Sequence, residues 1–208
     1  MRQAIRFILL SCMTVSFSTG CSHTPRITYY SLAPTAKPAA ATAPSAVANK
    51  VKPSVSIASV TLPELVDRLQ LVQRINATRM DILEFHRWAE PLKNSISRAL
   101  ADNLSQQLES DQVSVYPQNA GSDAEYQVFV DFNRFEYDGS AVTVDAQWSI
   151  RSGASDRLKS GRVQSQMPTG GGSYEGAVAA YGRALTVVSS AVTQALQAEW
   201  HASSGQIK

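Results

Sequence analysis

The chain has 208 residues, of which 44% are hydrophobic, so it is long enough for one domain with a buried core and short for two. Its formal charge of +2 reflects 19 basic and 17 acidic residues, but Arg2 and Arg6 lie in an N-terminal segment that we expect to be removed, which leaves 17 of each. A neutral mature chain lacks the basic footprint of nucleic-acid binding, so we expect no nucleic-acid partner.

Residues 1–20 are predicted to form a secretory signal peptide. Arg2 and Arg6 supply a positive start, an apolar stretch covers residues 7–17, and small residues follow. The segment is too short and too rich in Ser and Thr to cross a bilayer stably. Cys12 lies inside it, so the mature chain keeps only Cys21 and cannot form an internal disulfide.

The residues before Cys21, Ser18-Thr19-Gly20, resemble the lipobox of bacterial lipoproteins, with Ser18 where that motif usually has Leu. The resemblance implies diacylglycerol on the Cys21 thiol and a further acyl chain, such as palmitate, on its freed amine. Such chains would hold the protein on a membrane, because each buried methylene contributes about 0.8 kcal/mol. Ser22 in place of Asp favours the outer membrane by the same resemblance. The alternative is an exported protein whose Cys21 is incidental.

Residues 21–53 are predicted to contain the lipidated N-terminus, a short strand and a linker. Residues 27–32 are rich in aromatic and β-branched side chains, which favours a strand, with a flexible arm as the alternative. Residues 33–53 are rich in Ala, Pro, Thr and Lys, which is typical of a linker or long surface loop. Fully extended it would span roughly 60 Å, and we expect it to let the domain stand away from the membrane.

A single domain is predicted over residues 54–202. Residues 55–62 should form a strand with Val55, Ile57 and Ser59 on one face, and two further β-prone runs cover residues 69–75 and 81–85. A helix over about 90–109 follows, because proline is tolerated in its first turn. Apolar residues recur there at every fourth position: Leu92, Ile96, Leu100, Leu104 and Leu108.

The second half of the domain predicts an antiparallel meander followed by a helix. A short strand begins at Val113, and strict alternation then predicts strands near residues 126–133 and 142–150, with a weaker one at 157–167. After a glycine run, Ser173 should cap a helix over about 174–200, and residues 203–208 should form a frayed tail. The fold class is therefore α+β, a two-layer structure in which two helices cover one face of a mainly antiparallel or mixed sheet.

Residue patterns of enzymes and metal sites were sought and fail on spacing. The glycine run is not followed by the Gly-Lys-Ser/Thr of a phosphate loop, and the surroundings of Ser173 lack the last glycine of a nucleophile elbow. The three histidines, His23, His86 and His201, are scattered without ligand spacing. We therefore expect no enzyme, no metal site and no cofactor beyond the acyl groups on Cys21.

Arginines and aromatic residues occur close together in two places, and these residue types dominate partner interfaces. Arg68 lies between two β-prone runs, and Phe85, Arg87 and Trp88 precede the first helix. We predict these four residues as partner contacts. The alternative is that Phe85 and Trp88 seal the end of the helix and that Asp67 pairs with Arg68.

Five stretches of the sequence together resemble the ABC-type transport auxiliary lipoprotein family, which includes the lipoprotein of the paraquat-inducible (Pqi) system. They are Tyr29-Tyr30-Ser31-Leu32, Val60-Thr61-Leu62-Pro63 with Asp67-Arg68, Glu84-Phe85-His86-Arg87-Trp88-Ala89-Glu90-Pro91-Leu92, Val115-Tyr116-Pro117, and the glycines before the last helix. Family members often have Pro where this chain has Leu69, and the segment after Leu32 is longer than usual.

The resemblance implies a non-enzymatic lipoprotein, anchored in the outer membrane and facing the periplasm, that contributes to membrane integrity. It would dock with an MCE-domain protein that reaches from the inner membrane, and so complete a route for lipids. Family members are also associated with homo-oligomers. Two alternatives remain: a periplasmic lipid carrier with an acyl-binding groove of its own, and a structural lipoprotein of outer-membrane assembly.

Overall fold

The computed structural model describes residues 25–32, 52–117, 123–153 and 158–205. The predicted signal peptide, Cys21 and residues 33–51 of the predicted linker lie outside the described residues. Eight strands and two helices are present in the described part of the chain. The strands are β1 (Thr28–Tyr30), β2 (Val55–Thr61), β3 (Gln70–Arg74), β4 (Met80–Trp88), β5 (Val113–Val115), β6 (Tyr126–Tyr137), β7 (Ala141–Ser152) and β8 (Leu158–Pro168). The helices are α1 (Leu92–Leu108) and α2 (Tyr174–Gly205).

The eight strands form one mixed sheet around the long strand β6. On one side, β6 pairs antiparallel with β7, and β7 pairs antiparallel with β8, which confirms the predicted meander. On its other side, the first half of β6 pairs in parallel with β2, and its last residue meets β3. Strand β5 pairs with β2, while β3, β4 and β1 follow one another to the opposite edge.

Both helices pack on the sheet and against each other, as the alternating sequence predicts. In β6 the even-numbered residues from Tyr126 to Phe132 are buried, and a register shift before Arg134 moves the buried positions to Phe135 and Tyr137. The periodic leucines of α1 are buried from Leu92 to Leu104. The α+β fold class is therefore confirmed.

Helix α2 begins where the sequence indicates. The Ser173 hydroxyl accepts a hydrogen bond from the Gly176 amide at 3.0 Å, which satisfies one of the free donors of the first turn. Before it, Gly170 and Gly172 have φ of +74°, a conformation that residues with a side chain rarely adopt. The helix continues to Gly205, past the predicted end at residue 200, and residues 206–208 lie outside the described residues.

Strand β2 departs from the predicted alternation. Val55 and Ile57 are buried as expected, but Ser59 is exposed and Val60 is buried in its place. The expectation that Ser59 shares their face is wrong, because the register with β6 shifts between Ile57 and Ser59 and reverses the direction of the side chains that follow.

The position of β1 changes the role of the predicted linker. The predicted strand at residues 27–32 is confirmed as Thr28–Tyr30, and it precedes the linker while already belonging to the sheet. Before the linker, the Tyr30 carbonyl accepts a hydrogen bond from Ala89, close to the start of α1. After the linker, Lys52 contacts Glu109 at the end of α1. The linker therefore connects two parts of one domain. The expectation that it sets the distance between membrane and domain is wrong.

Close packing between β7 and β8 gives a testable prediction. Trp148 lies over its partner Gly161, and a Cβ at residue 161 would be 2.4 Å from the Trp148 ring. We expect Gly161→Ala to lower the free energy of unfolding by about 1–3 kcal/mol, because a buried ring must move. Urea denaturation followed by circular dichroism measures this loss.

Gly153→Ala is the matched control. A Cβ at residue 153 would meet its nearest atom at 4.0 Å, which is ordinary contact. This variant should be as stable as the wild type. Equal stability of the two alanine variants would contradict the packing of Trp148 on Gly161.

Candidate functional site

Strand β1 brings the N-terminal end of the described chain onto β4. The two strands pair in parallel, with Tyr29 beside Arg87 and Tyr30 beside Trp88. The Ala89 amide donates a hydrogen bond to the Tyr30 carbonyl at 2.7 Å, and the Trp88 amide donates to the Leu69 carbonyl at 2.6 Å. Stretches that are far apart in the sequence thus meet at one edge of the sheet.

A row of rings fixes β1 to the start of α2. The Tyr30 hydroxyl lies 2.9 Å from His86 Nδ1, and the His86 ring lies 4.0 Å from that of Tyr174, between centroids. Tyr174 also contacts Tyr137, whose hydroxyl donates to the Gly172 carbonyl at 3.2 Å. Burial, followed by the charge of Glu175, raises the pKa of Tyr30. The ring is therefore held in its neutral form as a packing element.

A second group of rings lies deeper, around Tyr181 of α2. Trp88 packs edge-on against Tyr181 at 5.9 Å, and Phe135 stacks on its other side at 4.2 Å. Trp88 is only 3% exposed and Tyr181 only 4%. Burial raises the pKa of Tyr181 as well. These rings join α2 to β4 and β6.

Ion pairs fix the segment that leads into α1. Asp67 pairs with Lys93 at 2.6 Å, so the alternative pairing of Asp67 with Arg68 is wrong. Glu90 accepts a hydrogen bond from Ser95 at 2.8 Å and pairs with Arg98. The loop before β3 and the start of α1 are thus held together by charges that are partly exposed, and each such pair contributes modestly to stability.

The four predicted contact residues differ in accessibility. Phe85 is 45% exposed. The half-buried Arg87 donates a hydrogen bond to the Glu84 carbonyl at 3.0 Å and also pairs with the Glu84 carboxylate. Arg68 is half-buried, and its Nε has no hydrogen-bond partner among the described residues. Trp88 lies in the core, which excludes it from any contact surface of the folded domain. The prediction of partner contact therefore stays a prediction for the other three.

Little free space exists beneath this edge. A cavity of about 10 Å³ lies between Trp88, Leu92 and Tyr181, which is room for at most one water molecule. An acyl chain does not fit there. In the part of the chain that the structure describes, no three His, Cys, Asp or Glu side chains are grouped to hold a metal ion. Neither described helix combines the length and the hydropathy of a membrane-spanning segment.

The face of the sheet opposite the helices carries a polar network. Asp145 on β7 accepts hydrogen bonds from Arg162 at 2.8 Å and from Gln164 at 3.0 Å, both on β8. Although Asp145 is only 5% exposed, the hydrogen bonds from Arg162 hold its pKa at about 2. Glu136 similarly accepts from Arg74 and Arg134 at 2.8 and 2.9 Å. A shallow depression of about 300 Å³ lies beside these groups.

The comparisons with known proteins agree with this geometry. The family model described as "ABC-type transport auxiliary lipoprotein component" matches residues 30–193. The chain belongs to this family. The match begins at Tyr30, the residue of β1 that pairs with Trp88, so the family region includes the aromatic contacts described above. The family is described as one of auxiliary lipoprotein components of ABC-type transport, and membership in a lipoprotein family implies attachment to a membrane.

Two solved structures share the fold. An uncharacterized protein is 18% identical, with a TM-score of 0.64, and the match covers 82% of this chain and 99% of that one. A protein from Xanthomonas campestris assigned to family DUF330 is 17% identical, with a TM-score of 0.64, and covers 85% of this chain and 99% of its own. At this identity the similarity shows the fold alone. A comparison with curated proteins found no match.

His86 and Tyr174 are the residues that sequence reasoning missed. His86 has no ligand spacing, and Tyr174 marks only the start of a helix, so neither gives a local signal. Their contact depends on how β4 and α2 meet. The aromatic and β-branched run at residues 27–32 is the signal in the sequence for β1. That Tyr30 is buried while Tyr29 is exposed is visible only in the structure.

Substitutions in β4 test the assignment of Trp88 to the core. We expect Trp88→Ala to lower the free energy of unfolding by about 3–5 kcal/mol, because it empties the space beside Tyr181. Trp88→Phe should lower the free energy of unfolding by less, and it replaces the alanine variant in the comparison if that variant does not fold. Phe85→Ala should cost about 1 kcal/mol or less, because Phe85 is largely exposed. Urea denaturation compares the three, and a larger loss at Phe85 would contradict the assignment.

Asp145 should make stability depend on pH. Its folded pKa of about 2 lies below the unfolded value of about 3.9, so its contribution is fully present above pH 4 and is lost as pH falls through 2. We expect Asp145→Asn to lower the free energy of unfolding by about 1–2 kcal/mol at pH 7. This value is smaller than the pKa shift alone would give, because Arg162 is half exposed and water screens the pair. The deficit should shrink between pH 4 and pH 2 in urea denaturation series.

Asp102→Asn is the control for this series, because Asp102 lies on the exposed side of α1. It should leave the free energy of unfolding at pH 7 within about 0.5 kcal/mol of the wild type, because it is an exposed surface substitution. A deficit of Asp145→Asn that stays constant down to pH 2 would mean that the Arg162 pair does not cause it.

Proposed function

We propose that this protein is a lipoprotein of the outer membrane that docks, on the periplasmic side, with an MCE-domain protein of an ABC-type lipid transport system. The observation that carries the proposal is the match of residues 30–193 to the family of auxiliary lipoprotein components. The resemblance to the Pqi lipoprotein in the block from Glu84 to Leu92 supports the choice of an MCE-domain partner, and Ser22 supports the choice of membrane.

The proposed anchor is Cys21, which carries diacylglycerol and an N-acyl chain. It lies seven positions before Thr28, the first residue of the sheet. Because β1 is fixed to β4, the acyl chains are tied to a rigid domain rather than to a free arm. The protein then acts by position: the anchor holds the domain at the membrane, and the domain presents a fixed surface to its partner. Such a role contributes to membrane integrity without a catalytic group.

The small cavity near Trp88 supports docking rather than lipid carriage at that place. The space between helices and sheet near Trp88 is about 10 Å³, whereas carriage would require a groove that holds an acyl chain. Homo-oligomer formation, expected from the resemblance, is compatible with the exposed strand edges β5 and β8 and stays a prediction.

The test is recovery of the partner from cells that express the whole transport system. Wild-type protein, solubilised mildly from the outer-membrane fraction, should co-purify an MCE-domain protein. Cys21→Ser should abolish outer-membrane retention, because no other acyl attachment site is predicted in the mature chain. Intact mass measurement of the mature wild-type protein should show the added diacylglycerol and acyl groups.

Cys12→Ser is the matched control, because Cys12 lies in the predicted signal peptide and should be absent from the mature protein. It should leave mass, retention and partner recovery unchanged. Retention of Cys21→Ser in the outer membrane would disprove the anchor, and consistent failure to recover an MCE-domain protein with wild type would disprove the partner.

A further inference from the structure

The distance between the proposed anchor and the folded domain is short. Cys21 and Thr28 are seven positions apart, which limits their separation to about 25 Å even in a fully extended chain. A domain of this size has a diameter of roughly 40 Å, since its radius of gyration is about 15 Å. The tether is thus shorter than the domain is wide, and the β1 edge must stay close to the membrane surface.

The exposed apolar residues are concentrated near the same edge. In the described ranges, ten large hydrophobic side chains are exposed, and seven of them lie between Ile27 and Phe85, in or beside β1, β3 and β4. They are Ile27, Tyr29, Leu65, Leu69, Ile75, Ile82 and Phe85. The meander and both helices, which form most of the domain, contribute only Leu158 and Val187. This asymmetry places most of the exposed large apolar side chains of the described residues on the β1, β4 and β3 side of the sheet.

The contacts within this region make it a rigid surface. Tyr29, 61% exposed, lies beside Arg87, and Arg87 is paired with Gln70 of β3 on its other side. The Leu69 carbonyl is bound to the Trp88 amide. Behind them, Tyr30 and Trp88 are packed into the core. We name the set Ile27, Tyr29, Leu69, Phe85 and Arg87 the β1-edge patch.

We propose that the β1-edge patch lies on the bilayer that holds the acyl chains of Cys21 and fixes the orientation of the domain on it. This inference rests on the proposed anchor. Tyr29 and Phe85 enter the headgroup layer, because an aromatic side chain gains from burial of its ring while a tyrosine hydroxyl remains hydrated. The Arg87 guanidinium, already turned toward Glu84, stays at the polar level of that layer.

A bilayer fits the patch better than a protein partner does. The patch is attached to the membrane by seven positions of chain, so an approaching protein would have to enter the narrow space between domain and lipid. Its charges are balanced locally, since Arg87 pairs with Glu84, so contact does not require an anionic lipid. Strand β8 lies five strand spacings, about 24 Å, from β1 and is left facing away from the membrane.

Site-specific fluorescence on the full lipidated protein tests the proposal. Because Cys21 is acylated, Tyr29→Cys or Phe85→Cys introduces a single free thiol that can carry an environment-sensitive label. Leu158→Cys on β8 is the matched control, since Leu158 is also apolar and is 65% exposed. Each labelled protein is reconstituted in vesicles of phosphatidylethanolamine and phosphatidylglycerol, with and without lipids that carry a quencher near the headgroup. Circular dichroism confirms that each variant is folded.

We expect labels at residues 29 and 85 to lose most of their fluorescence with quencher lipids, and the label at 158 to lose little. Equal quenching at all three positions, on protein that floats with the vesicles, overturns the inference and leaves the anchor intact. Wild-type protein that does not float with the vesicles overturns both. Labels at 29 and 85 that are unquenched on vesicles, but change their emission when the purified MCE-domain protein is added, assign the patch to the protein partner and overturn the inference.

Discussion

The parallel pairing of β1 with β4 is the constraint on which the rest of this structure depends. It places Tyr30 beside Trp88, and so joins the region next to the proposed lipid anchor to the core of the domain. Without it, residues 25–32 would be a tether, and the domain would begin at β2. With it, β1, the segment before α1 and the first turn of α2 form one packed unit, because the His86 ring contacts both Tyr30 and Tyr174. The family region begins at the same residue, Tyr30.

The two faces of the sheet are stabilised by different interactions. The face under the helices supplies stability through apolar burial around Tyr181, Leu185 and Val188, and it has little free volume near Trp88. The opposite face is held by hydrogen-bonded charges, with Arg162 on Asp145 and Arg74 on Glu136. Such pairs add modest stability but fix the positions of neighbouring strands, since each one crosses from one strand to the next.

The sequence predicts the regular elements well and the long-range contacts poorly. Period-two alternation in β6 and β7 and four-residue spacing in α1 are local properties, so the meander, both helices and the α+β class follow from them. The expectation for Ser59 is wrong because it continues the alternation of Val55 and Ile57 through a bulge, beyond which the buried position is Val60. Residue type does not report burial, so the sequence does not show that Trp88 lies in the core. The contact of His86 with Tyr174 depends on packing between distant elements.

The same reasoning explains why the long Ala- and Pro-rich segment need not affect the reach of the protein. Its two ends lie near the two ends of α1, which has 17 residues and is about 26 Å long. The segment at residues 33–51 could span about 60 Å, so it has more than twice the length it needs. Because closing a longer loop costs little free energy, such a segment can lengthen without strain. The short piece between Cys21 and Thr28 has no such freedom, so the distance from the lipid to the sheet is set there.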